Sequence, residues 1–199
     1  MASLRTFVQN EIRSSISVKE EILGMDALTE EIACIAELCV SVFRSGNRIL
    51  LAGNGGSAAD AQHIAAEFVS RFMFDRPGLP ALSLTTDPST VTAIGNDYGY
   101  ENLFSRQLQA NGRPGDLFIG ISTSGKSPNI LRGFKTCREL GIHSVALTGK
   151  GGIQAMELAD HCLMVPSSST ARIQESHILI GHVICAIVER LIFGDRERL

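Results

Sequence analysis

The sequence has no excess of basic residues: 18 Lys and Arg stand against 21 Asp and Glu, a formal net charge of −3. That balance leaves no cationic surface to coat a phosphate backbone, so nucleic acid is not an expected partner. It also lacks an evident membrane span, because the most hydrophobic stretch, near Ile178–Ile192, is interrupted by His182, Glu189 and Arg190. No membrane partner is expected either. Met1–Ile22 is charged and amphipathic, without the basic-then-apolar order of a secretory leader, so a cytoplasmic protein is the expectation. The five cysteines (Cys34, Cys39, Cys137, Cys162, Cys185) are an odd number without paired C-x-x-C spacing. They read as reduced, mostly buried thiols, not as a disulfide frame or a structural zinc site. With 44% hydrophobic and 20% charged residues, and no internal repeat, the chain is neither a disordered tail nor a rod.

What is present alternates. Residues 3–44 carry apolar residues at helical spacing, as in Ile32, Ile35, Ala36, Cys39, Val40 and Phe43. Short continuous apolar runs then follow at Ile49–Ala52, Leu82–Leu84, Leu117–Ile121, Ser144–Leu147 and Cys162–Val165. Runs of that kind suit strands buried on both faces of a parallel sheet. Helical patterns at Ala58–Phe74, Asn129–Leu140, Ile153–Leu158 and Ala171–Phe193 separate or follow them. The alternation predicts an α/β fold, a doubly wound five-stranded parallel sheet flanked by helices, with an N-terminal helical region added. The length of 199 residues fits one domain, 1–199, with 1–45 as an extension that covers the sheet or meets another subunit.

In such a sheet, ligands bind beyond the carboxyl ends of the strands. After the first run comes Gly53-Asn54-Gly55-Gly56-Ser57-Ala58. Its glycines allow close backbone approach, and Ser57 is placed to cap a helix whose free amides attract anions. Gly53, Gly55 and Ala58 also fit a dinucleotide fingerprint, but the acidic residue about twenty positions on is missing, and Asp87 is too far along. After the third run comes Ser122-Thr123-Ser124-Gly125-Lys126-Ser127-Pro128, where hydroxyls and a lysine gather at a helix start, with Pro128 suited to its first turn. That composition points to phosphate. The spacing is not that of a P-loop, which argues against a nucleoside triphosphate with magnesium. Asn96 and Asp97, in a third polar stretch, could fasten sugar hydroxyls or cap the next helix.

His63 and Glu67 stand four residues apart, on one helix face, among small alanines. Gln174, Glu175, His177 and His182 lie in the apolar pattern of the last helix. His63, Glu67 and His182 offer nitrogen and oxygen ligands of the zinc kind. Gln174 and His182 are eight residues apart, roughly 12 Å along a helix. Both reach one ion only if their side chains lean together or if different subunits supply them.

The run Gly53–His63, Asn96-Asp97, the Ser122–Ser127 loop and Ala171–His177 together resemble the sugar isomerase (SIS) domain family, and within it the isomerases of seven-carbon sugar phosphates. The resemblance runs from about residue 5 to 194. It implies a doubly wound sheet with an N-terminal helical pair, assembled as a homotetramer with sites at subunit contacts. It implies ketose–aldose interconversion of sedoheptulose 7-phosphate and D-glycero-D-manno-heptose 7-phosphate, the first step toward the heptose of lipopolysaccharide or surface glycans. The family's zinc ligands fall on His63, Glu67, Gln174 and His182. Its phosphate-binding positions fall on Ser122, Thr123, Ser124 and Ser127, and its sugar contacts on Asn54, Gly55, Gly56, Asn96 and Asp97. Glu67 then serves as base and His182 as partner acid in an ene-diol reaction.

Other readings are a non-catalytic relative that binds the replication initiator DnaA, and a regulatory module that senses a sugar phosphate without converting it. The DnaA-binding relative departs at the acid–base positions, whereas Glu67 and His182 are present here. Fold likeness alone licenses no function; the retained site residues carry the expectation.

Overall fold

The computed structural model describes residues 3–194. The sheet holds five parallel strands: β1 (Ile49–Gly53), β2 (Ala81–Ser83), β3 (Leu117–Ile121), β4 (His143–Gly149) and β5 (His161–Val165), in the order β2-β1-β3-β4-β5. The doubly wound expectation therefore holds, and the switch point lies between β1 and β3, where the winding reverses. Eight α-helices surround the sheet among the described residues: α1 (Leu4–Leu23), α2 (Asp26–Arg44), α3 (Gly56–Val69), α4 (Pro88–Tyr98), α5 (Leu103–Asn111), α6 (Pro128–Leu140), α7 (Ile153–Leu158) and α8 (Thr170–Phe193).

Strand side chains alternate between two cores, as a period of two requires. Ile49, Leu51, Leu117, Ile119, Ile121, Val145 and Leu147 join the core under α2, α3 and α8. Leu50, Ala52, Phe118 and Ala146 join the opposite core, under α4, α5 and α6. Both faces of the central strands are buried, which is why their sequences read as unbroken apolar runs. Gly120 sits where a Cβ would run into the Phe134 ring, so α6 packs directly on the strand there.

Several sequence expectations shift. Residues 3–44 are two helices broken at Gly24 and Met25. The helix expected over Ala58–Phe74 spans Gly56–Val69 instead. Phe72 and Phe74 continue the apolar pattern, but the chain turns back, and the Leu79 amide donates to the Phe68 carbonyl at 3.0 Å. The Arg76 guanidinium fixes the turn by donating to the carbonyls of Glu67, Phe68 and Ser70, which a helix end leaves without partners. Helices α4 and α5 were not foreseen, and Asn96 and Asp97 lie in the last turns of α4, not in a loop. Helix α8 is, by length and composition alone, long and apolar enough to cross a membrane, contrary to the sequence reading. Its apolar side is spent on the core through Ile173, Ile180, Ile184 and Val188.

Candidate active site

Every helix that follows a strand starts at the carboxyl edge of the sheet, so the N-termini of α3, α6 and α8 share that edge. Their partial positive charge and free amides make the edge receptive to an anion. At the switch point, the Asn54 and Asn129 amides pair reciprocally: Asn54 Nδ2 donates to Asn129 Oδ1 at 3.0 Å, and Asn129 Nδ2 donates to Asn54 Oδ1 at 2.9 Å. The Tyr100 hydroxyl adds a bond to Asn54 Oδ1 at 3.0 Å. This pair locks the β1 loop to the β3 loop.

The N-cap position of α3 belongs to Gly55, at φ +56°, and Ser57 is buried within the first turn. The expected Ser57 cap is thus not formed; the left-handed backbone that glycine allows makes the turn instead. A Cβ at Gly56 would overlap the Gln174 amide, which lies across the start of α3. Pro128 takes the first position of α6 as expected. The Ser122 and Ser127 hydroxyls touch at 2.9 Å, and the Lys126 amide donates to Ser124 Oγ at 3.2 Å. Thr123, Ser124 and Lys126 line a cleft whose far wall is Gly151, Ser167, Ser168 and Thr170. The last three were missed in the sequence, although four consecutive hydroxyl residues, Ser167–Thr170, join β5 to α8.

Helices α3 and α8 run side by side, in the same direction away from this edge. Gly56 meets Gln174 at one level, and Ile64 meets Gly181 at the next. At that second level His63 Nε2 lies 3.0 Å from Glu67 Oε1 and 3.2 Å from His182 Nε2. The three ligand atoms all lie within 4.8 Å of one another. The Phe72 ring stacks on the His182 imidazole at 5.5 Å, orienting it. Gln174 is not in this group; it stays two helical turns away, about 12 Å along α8. Asn96 and Asp97 are exposed and bond to each other at 2.7 Å.

Two imidazole nitrogens and one carboxylate oxygen form a donor set suited to a zinc-like ion, and too nitrogen-rich for calcium or magnesium. The cluster is half open: 49% of the His63 side chain and 24% of the Glu67 side chain are exposed. One turn before His63, Asp60 Oδ2 is buried without a partner. Burial raises the Asp60 pKa, and the nearby His63 partly opposes that. Beneath the α8 start, His177 is buried, and burial pushes its pKa down to about 4. It is neutral, and its Nε2–H donates to the Thr148 carbonyl at 3.2 Å.

Residues 16–149 match the SIS domain. The chain is 61% identical to the phosphoheptose isomerase of Aneurinibacillus thermoaerophilus, over 97% of this chain and 98% of that one. The solved phosphoheptose isomerase of Neisseria gonorrhoeae superposes with a TM-score of 0.88 at 43% identity, covering 94% of this chain and 99% of that one. The one from Francisella tularensis superposes with a TM-score of 0.90 at 38% identity, covering 96% and 100%. Sheet-edge loops rich in hydroxyls, a His–Glu–His cluster two turns below them and relatives matched along nearly their full length lead to one assignment: the chain belongs to the SIS domain family and, within it, to the phosphoheptose isomerases.

Proposed function

We propose that the chain interconverts sedoheptulose 7-phosphate and D-glycero-D-manno-heptose 7-phosphate, as the first step toward ADP- or GDP-heptose for lipopolysaccharide or surface glycans. The observation that supports this reading is the convergence of Glu67 and His182, on two helices, two turns below a sheet edge lined with hydroxyls. Ser122, Thr123, Ser124 and Ser127 hold the phosphate, and its binding energy positions the far end of the sugar. Asn54, Gly55, Gly56, Asn96, Asp97 and Gln174 contact the sugar. Glu67 removes a proton from C1 of the ketose, giving an ene-diol, and returns it to C2. His182 donates to the carbonyl oxygen O2 and accepts the O1 proton, so an aldose leaves with no net change in protons.

His63, Glu67, Gln174 and His182 would hold one divalent ion, proposed as zinc, and Glu67 and His182 would act as base and acid only with a change in that coordination. Such an ion, when bound, polarises the carbonyl and ene-diolate oxygens. Within one chain Gln174 and His182 stand apart, so neighbouring copies would supply ligands to a shared site in a homotetramer. The exposed apolar residues of α1, among them Leu4, Phe7, Val8, Ile12 and Ile16, support self-association, with residues 1–45 as the contacting extension of a single domain 1–199. A cytoplasmic location accords with a soluble sugar-phosphate substrate.

The test is incubation of purified protein with sedoheptulose 7-phosphate, with and without a chelator, followed by sugar analysis. Formation of the aldose heptose phosphate, suppressed by chelation, is expected. No conversion under any metal condition would overturn the assignment and favour the DnaA-binding or sensing readings. Light scattering should give the mass of four chains.

A further inference from the structure

At the amino edge of the sheet, opposite the anion-binding loops, a second group of ligating side chains comes together. Glu31 and Cys34 are three residues apart on α2, which places them on one helix face. His161 opens β5, the edge strand next to β4. Its Nδ1 lies 2.9 Å from Glu31 Oε1. The Cys34 Sγ completes the group, with all three ligand atoms within 4.8 Å of one another.

We propose that Glu31, Cys34 and His161 form a metal site for a borderline-soft divalent transition ion of the zinc, cobalt or copper kind. A glutamate–histidine bond alone is an ordinary surface pair. The thiol changes its chemistry, because thiolate, imidazole and carboxylate together select such ions over magnesium and calcium. Bonds of about 2.0–2.3 Å to one tetrahedral ion put ligand atoms roughly 3.4–3.8 Å apart. The present separations need only sub-ångström to ångström adjustments to reach that range.

The supports are rigid. Ile32 and Ile35, flanking the ligands on α2, are buried in the core. His161 is held by pairing with Val145, and the neighbouring Asp160 accepts bonds from the Ser144 amide and hydroxyl, each at 2.8 Å. Preorganised ligands on packed elements lower the cost of binding. Glu31 and His161 keep 32% and 28% of their side chains exposed, and Cys34 is exposed, so an ion can enter and a coordination position stays open to solvent. Binding takes the thiolate form of Cys34, whose proton passes to solvent, and the neutral imidazole of His161, which presents a bare Nδ1 and keeps its one proton on Nε2.

The experiment separates this site from the His63–Glu67–His182 group, because only this one contains sulfur. Reduced, chelator-stripped protein is titrated with Co²⁺ and followed in the near ultraviolet, where thiolate-to-cobalt charge transfer absorbs. A band saturating at one ion per chain is expected. It should vanish in Cys34→Ser and persist in His182→Gln. In His161→Ala the dissociation constant should rise by more than the roughly tenfold that loss of an outer partner costs. Circular dichroism of Cys34→Ser should match the parent, since the side chain is exposed. Absence of a band in the parent protein, or a band that survives Cys34→Ser and disappears in Cys162→Ser, overturns the assignment.

Discussion

Glu189 and His182 lie two turns apart on α8, and their surroundings differ in kind. Glu189 is buried, with both carboxylate oxygens engaged: the Phe72 and Met73 amides donate at 2.9 and 2.7 Å, and Arg76 Nε at 3.0 Å. Burial pushes the Glu189 pKa up, but these donors outweigh it and hold the carboxyl below its usual range. At His182, by contrast, imidazole, imidazole and carboxylate crowd together in a half-open groove. A satisfied buried network fixes a fold. A group of ligand atoms facing solvent is available for chemistry. The two are joined: the loop that Glu189 and Arg76 pin down carries Phe72 against His182, and Arg76 also caps the helix that bears Glu67.

The sharpest contrast is kinetic. His182→Gln should lower isomerase turnover by about 10²–10⁴-fold, the usual contribution of a positioned acid–base group, while the melting temperature stays near the parent value. Steady-state kinetics beside calorimetry checks both, and a large drop in stability would erase the distinction between the clusters. Glu189→Ala should do the reverse. Removing one partner of a buried pair leaves the Arg76 charge unmatched and should cost about 3–5 kcal/mol in urea unfolding. Retained stability would mean that the pair does not hold the loop. At the anion edge, Ser122→Ala removes one hydroxyl facing a charged group, worth about 1.5–3 kcal/mol, so kcat/KM should fall roughly 10- to 100-fold. An unchanged value would move the phosphate elsewhere.

The smallest effect concerns pH. His177 has an ordinary pKa of 6.5 and a folded value of about 4. Its folded pKa is depressed, so between those values the unfolded chain binds the proton first. Stability is therefore full above pH 6.5 and falls as pH drops toward 4. Above about pH 4.5, the ordinary value of Glu175 and Glu189, those two carboxylates contribute little to the slope. Thermal melts between pH 6.5 and 4.5 should show a decline that flattens in His177→Gln.

How much of this was legible in the sequence depended on whether the cause was local. Strands β1, β3 and β4 were readable because burial on both faces writes itself as a continuous apolar run, and the half-buried edge strand β5 kept such a run as well. Helices α4 and α5 were not, since buried polar residues such as Ser105 and Gln107 blur their periodicity. The end of α3 was overshot because the Arg76–Glu189 pair that stops it joins residues 113 positions apart. In the site, the four-residue spacing of His63 and Glu67 and the hydroxyls of Ser122–Ser127 carried their own signal. Their grouping with His182 rested on ligand chemistry and on the family resemblance, because spacing along α8 says nothing about which helix lies beside it. Ser167, Ser168 and Thr170 left a hydroxyl run that went unread.

The most direct measurement follows the migrating proton. Sedoheptulose 7-phosphate is incubated in deuterated water with the parent protein or with Glu67→Gln, and the sugar carbons are read by NMR. The parent should place solvent deuterium at C1 of the ketose and C2 of the aldose, and Glu67→Gln, folded and with His182 intact, should place none. Deuterium entering at the parent rate in that variant would show that another group takes the proton.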